Sequence, residues 1–207
     1  EHFRGIADIL NLPHNRVRVI GTYVGGGFGG KEDITVESFL ALLTFKTGRP
    51  VKLTYTREES ILSHSKRHPY VMVYKTGGKK DGRLTALQAR LVSDAGAYVY
   101  LSPWVLLYSM VDGAGPYRIP HVKIDGYTVL TNNTFTSANR GFGAPQVCFA
   151  YESQMDELAE RLKIDPLEMR KINYLEKGET LATGQVLEYS VALNETTDKA
   201  FQALGEK

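Results

Sequence analysis

Between positions 25 and 30 the chain reads Gly25-Gly26-Gly27-Phe28-Gly29-Gly30, five glycines around a single phenylalanine. Each glycine loses more backbone freedom on ordering than any other residue and adds no side-chain burial, so core packing does not account for the run. Such a loop is needed where the backbone must approach something closely or adopt dihedrals that side chains resist. Before it, Arg16–Val24 alternates in part and is β-branched, which predicts a strand. After it, Val36, Phe39, Leu40 and Leu43 recur at helical spacing, and Gly48 followed by Pro50 supplies a stop. A flexible linker would not carry Phe28 at its centre between a strand and an amphipathic helix, so strand, loop and helix together suit a ligand cradle better than a plain turn.

Three ligand chemistries compete for such a loop. Gly25, Gly27 and Gly30 satisfy the dinucleotide pattern G-x-G-x-x-G, but the strand pair that follows breaks the alternation a doubly wound sheet requires. The same residues run into Lys31 as in a phosphate-binding loop, yet Glu32 occupies the place where a Ser or Thr hydroxyl would bind Mg²⁺. A nucleotide triphosphatase is therefore disfavoured, and a dinucleotide-binding domain is the lesser alternative. What remains is a loop of backbone N–H groups able to bind an anionic oxygen, with Glu32 one step beyond.

The rest of the chain sets the fold class. A helix is predicted over His2–Leu12, a half-buried strand over Val51–Thr56, and an antiparallel hairpin from Tyr70–Thr76 and Arg83–Asp94 joined by Gly77–Gly82. An apolar stretch at Trp104–Met110 precedes a strand over Val122–Thr131. A second glycine motif, Asn139-Arg140-Gly141-Phe142-Gly143-Ala144-Pro145-Gln146, ends in a proline suited to a helix's first turn, and Phe149–Lys163 continues as an amphipathic helix. Asp165-Pro166 opens a short helix, and a last helix is expected from about Thr196. The expected architecture is α+β: a mixed sheet with an antiparallel hairpin and packed helices, in one domain over residues 1–207 whose part from 145 to 207 is a mostly helical tail.

Composition narrows the partner. The formal charge of +2 on 207 residues is spread along the sequence without a basic block, which points away from nucleic acid and toward a small molecule. No apolar run reaches the roughly 20 residues of a membrane span. The single cysteine, Cys148, provides no disulfide framework, so a reducing, cytoplasmic setting is the simpler expectation.

The two glycine motifs, Gly25–Glu32 and Ala138–Gln146, together closely resemble the molybdopterin-binding region of the xanthine dehydrogenase and aldehyde oxidase family of molybdenum hydroxylases. Lys46–Lys52, Arg67-His68-Pro69, Gly82–Leu87 and Ala95–Tyr98 resemble that family in the same order. The resemblance implies that Gly27, Phe28, Gly29 and Arg140 bind the molybdenum cofactor, gripping it by hydrogen bonds and with no side chain on the metal. It further implies that Glu32 binds and polarises a heterocyclic substrate and that Phe142 stacks on a flat ring. Two positions depart from the purine-oxidising pattern: Tyr108 stands where those relatives carry an arginine, and Asn139 where they carry a second aromatic. Both favour an aldehyde or another N-heterocycle over xanthine.

The implied reaction is hydroxylation of an electron-poor carbon with water as the oxygen source. Its general base, a glutamate, is expected on a later part of the large subunit, so no catalytic residue is assigned here. Iron–sulfur clusters need cysteines that Cys148 alone cannot supply, so they and FAD are expected on other domains or subunits. The chain is accordingly expected to be a fragment of a longer large subunit, inactive by itself. A non-catalytic binding or assembly module that kept the fold is the alternative.

Overall fold

A computed structural model of the chain describes residues 2–205; Glu1 at the start of the expected domain, and Glu206 and Lys207 at the end of its helical tail, lie outside the described residues. Helix α1 (His2–Leu10) leads through a short 3₁₀ turn, His14–Arg16, to the glycine loop. Helix α2 (Glu37–Thr47) stops as expected at Gly48, whose left-handed φ of 65° lets its N–H close on the Thr44 carbonyl at 2.9 Å. Helix α3 (Arg57–Ser63) is not anticipated by apolar periodicity. Its start is set by a capping box: the Thr56 hydroxyl accepts the Glu59 N–H, and the Glu59 carboxylate accepts the Thr56 N–H.

Strands β1 (Tyr70–Gly78) and β2 (Leu84–Gly96) form the expected antiparallel hairpin, in register from Tyr70 opposite Ser93 to Gly77 opposite Ala86. Helix α4 (Ser102–Asp112) occupies the apolar stretch, and β3 (His121–Leu130) completes a three-stranded sheet in the order β1-β2-β3. Helix α5 (Ala144–Leu162) carries Pro145 in its first turn. Helix α6 (Pro166–Asn173) is capped by the Asp165 carboxylate, which accepts the N–H groups of Leu167 and Glu168, and α7 (Leu193–Gly205) begins somewhat before the position expected. The α+β class is as the sequence predicts.

Two expected strands are absent. Residues 17–24 and 51–56 are not strands, and no described segment forms a ladder with either. Alternation and β-branching reported a chain that prefers to be extended; a strand also needs a partner at hydrogen-bonding distance, and propensity carries no information about that.

The described chain divides into two compact units. One takes the segments up to His68, Asp94–Pro103 and Val129–Arg140; the other takes Pro69–Ser93, Trp104–Thr128 and the chain from Gly141 onward. The second unit holds the apolar core. Leu87, Ala89 and Leu91 on one face of β2 pack with Leu106 of α4 and Val147 of α5, while Leu84, Met155, Ala159, Met169, Tyr117 and Tyr174 form an adjoining cluster. Burying side chains of this size stabilises the fold by about 1.5–3 kcal/mol each. Asn173 ties the cluster's edge together, accepting the Leu84 N–H at 2.9 Å and donating to the carbonyls of Gly82 and Met169.

The first unit is knit more by polar groups. Buried Asp33 accepts the hydroxyl of Ser65 at 2.5 Å and that of Ser137 at 2.6 Å. Lys66 makes a parallel bridge with Thr136, its N–H meeting the Phe135 carbonyl and its carbonyl meeting the Ser137 N–H. These bonds fix the segments on either side of the second glycine motif's first residues.

Candidate functional site

The glycine loop lies in the first unit and turns back on itself. The Gly27 carbonyl accepts the Gly30 N–H at 2.8 Å, the Gly29 carbonyl accepts the Glu32 N–H at 3.2 Å, and the Lys31 ammonium reaches back to the Val24 carbonyl. Gly25, Gly26 and Gly29 have positive φ, and so does Phe28 at 51°. A non-glycine residue in that region carries strain on the order of 1–3 kcal/mol, so its surroundings must impose it. At Gly29 close approach also forbids a side chain: a Cβ there would lie 2.6 Å from the Ala138 oxygen and 2.9 Å from the Asn139 Cα.

The segment Ala138–Arg140 is bonded to this loop. Arg140 donates its N–H to the Phe28 carbonyl at 2.9 Å, and its guanidinium sits 5.5 Å from the centre of the Phe28 ring. Arg67 in turn donates to the Asn139 side-chain oxygen at 2.5 Å and to the Arg140 carbonyl at 2.8 Å. Among the described residues, no acceptor meets the N–H groups of Phe28 or Gly29. Unengaged backbone donors together with a guanidinium are the groups that bind anionic oxygens. Glu32 is exposed in the same unit, and its carboxylate has no partner among the described residues.

This unit also holds two titratable residues that influence each other, buried His68 and half-buried Asp94. His68 is buried, with Nε2 2.8 Å from the Ser102 hydroxyl, and burial pushes its pKa down to about 4 against the opposing pull of Asp94 and Asp33. For Asp94, burial favours the neutral form. Hydrogen bonds from Thr131, the Gly96 N–H and Asn133, with the nearby His68, outweigh it and hold the carboxyl below its ordinary range.

In the second unit, Phe142 is the other left-handed phenylalanine, at φ 47° between Gly141 and Gly143, both also at positive φ. Gly143 is buried, and a Cβ on it would lie 2.5 Å from the Val105 carbonyl of α4. That closeness sets Phe142 beside the helix, where Tyr108 meets it edge-on, ring centres 5.6 Å apart at 86°. Tyr108 remains half exposed.

The structure thus brings Phe28, Gly29 and Arg140 together in one unit, with Gly27 closing their turn, and Tyr108 and Phe142 together in the other. Sequence reasoning missed Asp33, and it did not see that Arg67 serves Asn139 and Arg140. The signal for Arg67 was a position inside a family-like tripeptide; its partner lies 72 residues away.

Comparison with known proteins decides among the chemistries the loop allows. The profile of the molybdopterin cofactor-binding domain matches residues 1–174. The chain belongs to that family. Among its curated relatives, this molybdopterin-binding chain is 48% identical over 195 residues to the nicotinate dehydrogenase large molybdopterin subunit of Eubacterium barkeri, covering 94% of this chain and 46% of the relative. It is 37% identical over 184 residues to the xanthine dehydrogenase/oxidase of Gallus gallus, covering 88% of this chain and 14% of the relative. In structure it matches the aldehyde oxidoreductase of Desulfovibrio gigas with a TM-score of 0.90 at 37% identity, covering 98% of this chain and 22% of that one. The chain therefore spans less than half the length of these relatives.

The resemblance to the molybdenum hydroxylases is borne out, and with it molybdopterin as the cofactor. The residues present fit that group in kind: the unengaged N–H groups of Phe28 and Gly29 and the guanidinium of Arg140 are donors of the sort that anionic oxygens accept from. Among the described residues no helix is long and apolar enough to cross a membrane.

Proposed function

We propose that this molybdopterin-binding chain is part of the large subunit of a molybdenum hydroxylase that hydroxylates an electron-poor carbon of an N-heteroaromatic ring, with water as the oxygen source. The observation that carries this reading is the bonding of the Phe28–Gly29 loop to Arg140, which leaves anion-binding donors unengaged on both segments. When bound, the molybdenum cofactor supplies the two-electron redox chemistry of the oxidation. Phe28, Gly29 and Arg140 hold it by hydrogen bonds to its oxygens. Tyr108 and Phe142 offer an aromatic wall to a flat ring, and Glu32 binds a ring nitrogen and polarises the heterocycle.

The general base lies on a later segment of the same subunit, and iron–sulfur clusters and FAD on other domains or subunits carry the electrons away; the complete assembly works in the cytoplasm. The name of the 48%-identical relative, nicotinate dehydrogenase, supports a heteroaromatic substrate. An aldehyde substrate is the second reading, favoured by the likeness to the Desulfovibrio gigas aldehyde oxidoreductase.

The test is Glu32→Ala in the complete enzyme, assayed on heterocycles and aldehydes alongside molybdenum content. Heterocycle turnover should fall at least about a hundredfold, as removal of a group acting on the reacting ring does, while molybdenum content holds. Equal loss of both would make Glu32 structural, and a wild-type enzyme turning over aldehydes alone would favour the second reading.

A further inference from the structure

We infer that Arg67 is a positioning residue that orients the Asn139 carboxamide as a donor to an acidic substituent on the substrate, so that the enzyme selects N-heteroaromatic carboxylates. This deepens the function proposed above and rests on it. Arg67 donates from one guanidinium nitrogen to the Asn139 side-chain oxygen at 2.5 Å and to the Arg140 carbonyl at 2.8 Å. A guanidinium has donors and no acceptor, so the amide atom facing it must be the oxygen. The NH₂ end of Asn139 is then forced to face away, and among the described residues it meets no acceptor.

The bond is built into the unit. Arg67 follows Lys66, which bridges Thr136, and Asp33 holds Ser65 and Ser137 from the buried side. The Arg67 and Asn139 segments are therefore fixed relative to each other by two links, the Lys66–Thr136 bridge and the Asp33 carboxylate, and the Arg67 bond sets the amide's orientation. Asn139 is half-buried, and its Cα would lie 2.9 Å from a Cβ on Gly29, so its backbone runs against the glycine loop. An oriented amide donor backed by a guanidinium charge attracts a carboxylate and gives nothing to a ring without an acceptor.

The test compares the binding of pyridine-3-carboxylate and 3-methylpyridine to the complete enzyme by titration calorimetry, with metal analysis of each preparation. The wild type should bind the carboxylate roughly tenfold or more tighter than the neutral ring. Asn139→Asp keeps an acceptor for Arg67 but removes the donor and adds a like charge; it should abolish or reverse the preference. Arg67→Ala frees the amide to rotate and should shrink the preference, and Arg67→Lys should restore part of it. A molybdenum-loaded enzyme in which wild type and Asn139→Asp bind both rings alike would overturn this inference alone. A wild type without molybdenum would overturn the proposed function.

Discussion

The Phe28 carbonyl accepts the Arg140 N–H at 2.9 Å while the Arg140 guanidinium lies over the Phe28 ring at 5.5 Å, so two residues 112 positions apart (140 − 28) are joined through both backbone and side chain. A single displacement in either segment moves the donors of both. The geometry around this pair leaves Gly29 no room for a side chain.

Gly29→Ala should therefore do more than strain one dihedral. Its Cβ would collide with the Ala138 oxygen and the Asn139 Cα, neither of which is a flexible chain end, so the two segments must separate. We expect molybdenum content to fall well below half of wild type, with destabilisation of about 1–3 kcal/mol from the strained backbone. Gly25→Ala, where a Cβ meets nothing within 4 Å, is the control; it shares the positive φ and should retain the metal. Metal analysis and thermal unfolding of both variants decide it.

Asp33→Ala leaves the Ser65 and Ser137 hydroxyls without their acceptor in a buried setting. Each unsatisfied group costs about 1–3 kcal/mol, so for the two a loss of roughly 2–6 kcal/mol is expected in chemical denaturation. Asp33→Asn keeps one acceptor and should recover part of that loss. Equal stability of Asp33→Ala and wild type would show that the two hydroxyls find other partners.

His68 makes stability depend on pH with a definite sign. Burial depresses its pKa from the ordinary 6.5 to about 4, so between those values the unfolded chain binds a proton that the folded one does not. Its contribution is complete above pH 6.5 and is lost as the pH falls toward 4, by about 3 kcal/mol in total. In His68→Gln that slope should be gone. Unfolding free energies at pH 7.5, 6 and 4.5 for the two proteins would show parallel curves if His68 were irrelevant.

Tyr108 and Phe142 form an edge-to-face pair, a ring-on-ring contact that a phenylalanine at position 108 can also make. Tyr108→Phe should leave ring binding nearly unchanged, whereas Tyr108→Ala and Phe142→Ala should each raise KM for a heteroaromatic substrate. A double-mutant cycle should return a coupling of about 0.5–1.5 kcal/mol. Strict additivity would mean that the two rings act separately.

Local signals were legible in the sequence and partnerships were not. Gly48 announced the end of α2 because a left-handed cap is a property of one residue, and Asp165-Pro166 announced the start of α6 for the same reason. The capping box at Thr56 and Glu59 was equally local and was overlooked because α3, at seven residues, is too short to show apolar periodicity. Residues 17–24 and 51–56 have the residue types of strands, but pairing is a fact about distant segments. The same holds at the site: Phe28, Gly29 and Arg140 stand out through their motifs, whereas Asp33 and Arg67 matter only through partners 32 to 104 residues away.

The left-handed backbone at Phe28 and Phe142 bears on how freely those positions can vary. A fold that required only the bend would do better with glycine, which adopts it without strain. A ring at either position sets a contact, the Arg140 guanidinium for Phe28 and the Tyr108 ring for Phe142, against the strain of the bend. Exchanging either phenylalanine for glycine therefore relieves the bend and gives up the contact in the same step.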